Sequence, residues 1–173
     1  MRRLAPLAAL VALALLGGCA GGPPPRVWAA SVCSALTPWR AELDSLTKKA
    51  QEQANAAPNS AQAKENLVRL FDGAQKSTEA ARAKVEAAGV PDVDNGDEIA
   101  KSFVATLAAV RDAYGHAKDG VTAITAGDAK TFSDGVATVL TTLNGEYAKS
   151  AIDVTQLDSV ELRKAFDEAP ECN

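Results

Sequence analysis

Residues Ile99–Ile124 read IAKSFVATLAAVRDAYGHAKDGVTAI. Ile99, Phe103, Leu107, Val110, Tyr114, Ala117, Val121 and Ile124 recur at steps of 4, 4, 3, 4, 3, 4 and 3. That spacing puts every large apolar side chain on one stripe of an α-helix. A strand would need alternation at every second residue, and none is present here. One long amphipathic helix cannot bury its stripe alone, so it must pack on others.

Working outward, the same period appears on both sides. Upstream, Leu67, Leu70, Phe71, Ala74, Thr78, Ala81 and Val85 mark a helix that starts near Ser60. Gly89 followed by Val90-Pro91 is its stop signal. Further upstream, Trp28, Val32, Leu36, Trp39, Leu43 and Leu46 mark the first helix, which fades near Ala54. Thr37-Pro38 interrupts it; Thr37 suits an N-cap and Pro38 the first helical position, so the helix kinks or restarts there. Downstream, Gly127-Asp128 ends one helix and caps the next, which carries Phe132, Val136, Val139, Leu143 and Tyr147. A looser crossing segment, Ile152–Leu157, follows. Asp158-Ser159-Val160-Glu161 then resembles a capping box with Asp158 as the cap, opening a short last helix that ends before Pro170.

Four long helices with short loops predict an all-α fold: an antiparallel up-down-up-down four-helix bundle with a short C-terminal fifth helix. The eight aromatic residues all fall in these helices, and alanine fills much of the remainder. Such small side chains let helices approach closely and leave little space for a large internal cavity. Gly73, Gly115, Gly120, Gly135 and Gly145 also lie within helices, where each costs about 1 kcal/mol relative to alanine; they mark either close contacts or small kinks.

The N-terminus has a different character. Arg2 and Arg3 precede an uncharged apolar run, Leu4–Leu16. It is too short to span a bilayer, which takes about 20 apolar residues, and reads as a signal peptide. Leu16-Gly17-Gly18-Cys19 then resembles a bacterial lipobox: an aliphatic residue, two small residues, and the cysteine whose thiol takes up the lipid. Domain boundaries follow: a lipoprotein signal peptide at 1–18, a Gly/Pro tether at 19–26 and the helical domain at 27–173. A polyproline-like tether of eight residues reaches at most about 25 Å. The expected location is the outer, extracytoplasmic face of the cell membrane, held by a lipid anchor of the palmitate type on Cys19.

Cleavage would remove Arg2 and Arg3 and leave 16 Lys+Arg against 22 Asp+Glu, a net charge of −6. An acidic surface repels nucleic acid and anionic lipid, so membrane attachment falls to the acyl chains. With Cys19 lipidated, Cys33 and Cys172 remain. In an oxidising compartment they suggest one disulfide; the alternative is two unpaired buried thiols. The bundle favours the bridge. Placing the lipid end at the bottom, Cys33 lies low in the first helix, four helices return the chain to the bottom near Lys149, and the last helix can then carry Cys172 to Cys33. Three helices would leave the cysteines at opposite ends.

Candidate chemistry is sparse. The loop Asp92–Glu98, DVDNGDE, does not match an EF-hand: counting back from Gly96, positions 1 and 3 are Pro91 and Val93, which supply no side-chain oxygen. It reads as a solvated turn whose acids favour the following helix N-terminus, the alternative being a weak divalent-ion contact. His116 is the only histidine and points off the apolar stripe. No nucleophile elbow, P-loop, dinucleotide fingerprint or zinc-protease motif is present. Trp28 and Trp39 share one helical face, as core residues or as a binding platform; their place on the stripe favours the core. No catalytic, cofactor-binding or metal-binding residue is assigned.

The lipobox, Cys33 early in the mature chain, the segment AAGVPDVDNGDEIAKSF (Ala87–Phe103) between two long helices and the terminal APEC (Ala169–Cys172) together resemble the small alanine-rich helical lipoproteins of actinobacteria. That resemblance implies a membrane-anchored extracytoplasmic helical domain and carries no catalytic residues. The expected function is a non-enzymatic, lipid-anchored module that binds a protein partner or an envelope component. The alternatives are a carrier of a small apolar ligand between helices, and an envelope hydrolase using paired carboxylates.

Overall fold

A computed structural model describes residues 21–57, 59–150 and 157–172. Within them the chain forms five α-helices: α1 Pro25–Ala56, α2 Ser60–Ala87, α3 Gly96–Ala123, α4 Ala129–Lys149 and α5 Val160–Glu168. A 3-10 turn, Pro170–Cys172, closes the chain. There is no strand among the described residues. The signal peptide and Cys19 lie outside the described residues, as does most of the crossing segment before α5.

The termini of the helices follow local chemistry. Pro25 opens α1 at a position where its missing N–H costs nothing. Pro25 and Arg26, assigned to the tether by composition, are therefore the first turn of α1. Asn59 caps α2 by accepting from the Gln62 amide (2.9 Å), and Asp128 caps α4 by accepting from the Thr131 amide (2.7 Å). The cap of α5 is Ser159, which accepts from the Leu162 amide, one residue later than the expected Asp158. Lys64 of α2 donates to the carbonyls of Thr122 and Ile124 (2.6 and 2.7 Å), so the open end of α3 is satisfied by its neighbour.

α1 neither restarts nor ends at Pro38; it runs unbroken from Pro25 to Ala56. Thr37 is not a cap. Its hydroxyl donates to the carbonyl of Glu171 (3.2 Å), a tertiary contact with the C-terminal turn. Packing on α2 and on the chain's end holds α1 together where local propensity favours a break.

The first three helices are two antiparallel hairpins. Trp39 meets Thr78 and Leu46 meets Gly73 between α1 and α2; Gln75 meets Gly115 and Glu79 meets Arg111 between α2 and α3. α4 then runs antiparallel to α3. Val139 packs on Gly120 and Ile124 packs on Gly135, so each helix offers the other a glycine to sit on. A Cβ on Gly120 would come within 2.9 Å of Val139, and one on Gly135 within 3.1 Å of Ile124. Gly120 and Gly135, both half-buried, are thus sites of close approach.

α4 has 21 residues against 28 in α3, so Lys149 falls near the level of Val110. The chain has come only halfway down there, and not to the bottom as the parity count required. The lower half of the fourth position is filled by α5, which packs along α1. Two core clusters result. The lower one joins Trp28, Val32, Val85, Phe103, Leu162 and Phe166 with smaller side chains. Trp28 meets Phe103 and Phe166 edge-on at centroid distances of 5.3 and 6.0 Å, and the two phenylalanines stack at 5.9 Å. The upper one joins Phe71, Ala117 and Val121 with Leu67, Leu70, Tyr114, Val139 and Leu143.

Candidate functional site

The most constructed part of the surface is the base, where α1 begins, α2 ends and α3 begins. Gly89 ends α2 with φ +75°, the left-handed conformation that favours glycine. Its carbonyl accepts from the indole N–H of Trp28 (2.8 Å), so the fully buried tryptophan is tied to the base loop. Asn95 precedes α3 at φ 59°, and Gly96 lies so close to Pro91 that a Cβ would come within 2.2 Å of its carbonyl oxygen. The residues before α1 join this loop. The carbonyl of Pro23 accepts from the amide of Asp92 (3.0 Å), and a Cβ on Gly22 would fall 1.8 Å from the Val90 carbonyl oxygen. Gly22 is glycine because backbone lies against backbone there. Residues 21–24 are therefore a strap fastened across loop 89–92.

The two cysteines close the same end of the molecule. Cys33 of α1 and Cys172 of the 3-10 turn stand at disulfide distance, with Cα atoms 5.0 Å apart. The bridge lies against the lower core, where both cysteines pack.

The other candidate residues are dispersed. Asp92, Asp94, Asp97 and Glu98 are exposed, with Asp97 and Glu98 in the first turn of α3. Asp97 pairs with Lys101 along the helix at 2.5 Å. Among the described residues no three His, Cys, Asp or Glu side chains converge as a metal site would require. His116 is exposed, and its Nδ1 lies 3.2 Å from the Glu146 carboxylate of α4. Trp28 is a core residue; Trp39 is half-buried and donates to the Thr78 hydroxyl (3.0 Å), which itself donates to the Ala74 carbonyl (2.7 Å).

One charged cluster is absent from the sequence reading. Glu79 of α2 accepts from Arg82 on its own helix and from Arg111 of α3 (2.9 Å). The hydrogen bonds from Arg82, then those from Arg111, hold its carboxyl at about 2. The Glu79–Arg82 spacing of three is visible in the sequence, whereas the pairing with Arg111 exists only through the register of α2 on α3. A carboxyl held so low stays ionised and cannot serve as a general acid near neutrality. The same applies to Asp72, lowered chiefly by Lys76, and to Asp128, lowered by the Thr131 amide it caps.

A mainly apolar groove of about 310 Å³ lies between the lower part of α2 and α3. Val85, Val90, Val104 and Ala108 line it, with Glu86, Asp97 and Lys101 at its rim. On α4 only Phe132 is buried, while Leu140 and Tyr147 are 40% and 41% exposed. No helix among the described residues is long and apolar enough to cross a membrane.

No family model, curated protein or solved structure matches this chain.

Proposed function

We propose that this protein is a lipid-anchored helical module on the extracytoplasmic face of the cell membrane that binds a protein partner or envelope component. The observation that carries the reading is the lipobox cysteine, Cys19, standing two residues before Gly21, whose backbone lies beside Asp92 at the base. The resemblance to actinobacterial alanine-rich lipoproteins points the same way. The partner surface is sought on α4, whose Leu140 and Tyr147 leave apolar area open to solvent. A carrier of a small apolar ligand is the second reading, supported by the groove along Val85, Val90 and Val104.

Crosslinking in intact cells tests the first reading. A photo-crosslinking residue at Leu140 should capture one discrete envelope protein from the membrane fraction. Cys19→Ser should move the protein out of that fraction, or leave an uncleaved precursor, and abolish the adduct. A Cys19→Ser protein that is mature in size and still membrane-bound would overturn the anchor.

A further inference from the structure

A tether of eight residues, reaching at most about 25 Å, keeps the domain close to the bilayer but leaves its orientation open. The structure removes that freedom. Pro24 leads directly into α1, the Pro23 carbonyl is hydrogen-bonded to Asp92, and Gly22 lies against the carbonyl of Val90. An ideal Cβ on Gly21 would rest 3.4 Å from the Asp92 carboxylate. The strap is thus fastened to the base up to its first described residue. Only Ala20 separates Gly21 from Cys19. Two residues span at most about 7 Å of extended chain.

We infer that the base of the bundle is a bilayer-facing surface: the strap 21–24 holds loop 89–95 against the lipid headgroups. The inference rests on lipidation of Cys19 and says what the anchored domain does with its lower end. The occupant of that surface is the membrane, because the acylated residue lies within about 7 Å of it. Its side chains suit a headgroup layer. Val27 and Val90 are 54% and 42% exposed, so they present apolar area at this end of the bundle. The Asp92, Asp94, Asp97 and Glu98 carboxylates around them are exposed and stay among headgroups and water. Apposition therefore comes from the covalent anchor and the fastened strap, not from charge. The upper end, with the turn at Gly127 that has open space around it, faces away from the membrane.

The experiment uses the full-length lipidated protein, purified from membranes and reconstituted in phosphatidylcholine vesicles. A fluorophore is attached through Asp94→Cys at the base or Gly127→Cys at the top, under non-reducing conditions that keep Cys33 and Cys172 bridged. The vesicles carry headgroup spin-labelled lipid as quencher. The base label should be quenched several-fold more strongly than the top label. Gly22→Val, which cannot keep its place against Val90, should release the strap and bring the two labels to similar, weak quenching while the protein still floats with the vesicles. Equal quenching of both labels in the otherwise unchanged protein would overturn the inference and leave the anchor standing. So would strong base quenching that survives Gly22→Val. A purified protein that does not float at all overturns the anchor and this inference together.

Discussion

At the scale of single residues, the informative positions are those where a neighbouring side chain or backbone group decides a property. Glu79 is the clearest. Arg82 on its own helix lowers it most, Arg111 of α3 adds to this, and together they hold its ionisation at about 2, below the ordinary 4.5. A carboxyl whose folded value lies below its unfolded value stabilises the fold above the unfolded value and loses that effect as pH falls. The loss therefore runs from about pH 4.5 to about pH 2. Glu79→Gln should flatten the melting-temperature profile within that window and change it little in shape above pH 5. An unchanged acid limb in the Gln variant would assign the loss to other carboxylates. Thr37 shows the same dependence on a neighbour. Its hydroxyl and the following proline read as a helix start, yet the hydroxyl serves Glu171 at the far end of the chain.

At the scale of elements, α5 depends most on the rest of the molecule. Nine residues are too few for an isolated helix to persist in water. Its order comes from Leu162 and Phe166 in the lower core, from the Ser159 cap and from the Cys33–Cys172 link. A crosslink over 139 residues is worth on the order of 5 kcal/mol in the chain-entropy model. Reduction should therefore loosen residues 158–172 first, while α1 to α3 persist on their own hairpin contacts. Hydrogen exchange with and without reductant checks this: amides of α5 should lose protection well before those of α2 and α3. Uniform loss across all helices would make α5 part of one cooperative unit with them. The division of the fourth bundle position between α4 and α5 is also decided at this scale. α4 is too short to cover α3, and the exposed lower stripe of α1 and α3 is left for α5 to bury.

At the scale of the whole molecule, charge and anchor oppose one another. The mature chain would carry 16 basic and 22 acidic residues, and several of the acids ring the base. If the base meets the headgroups, replacing part of the phosphatidylcholine with anionic phosphatidylglycerol should weaken quenching of the Asp94-position label at low ionic strength. Salt at about 0.5 M should restore it, because the screening length falls to a few ångströms there. Quenching indifferent to lipid charge at low salt would mean that the acids do not face the bilayer.

The sequence by itself determined the helices, because a 3.6-residue period is written in side chains that each helix carries alone. It determined some of their ends too, through Gly89 and Asp128, whose capping works within a few residues of chain. It pointed to a Cys33–Cys172 pair, although the helix count behind that pairing carried the chain to the bottom at Lys149, where α4 in fact stops halfway. Only the tertiary structure decided that Pro38 is carried within one helix, that α4 stops halfway and α5 completes its layer, that Arg111 reaches Glu79, and that residues 21–24 of the tether are a strap. Each of these turns on a contact between residues far apart in the chain. Its free energy depends on the register and close approach of packed helices, which no local spacing encodes.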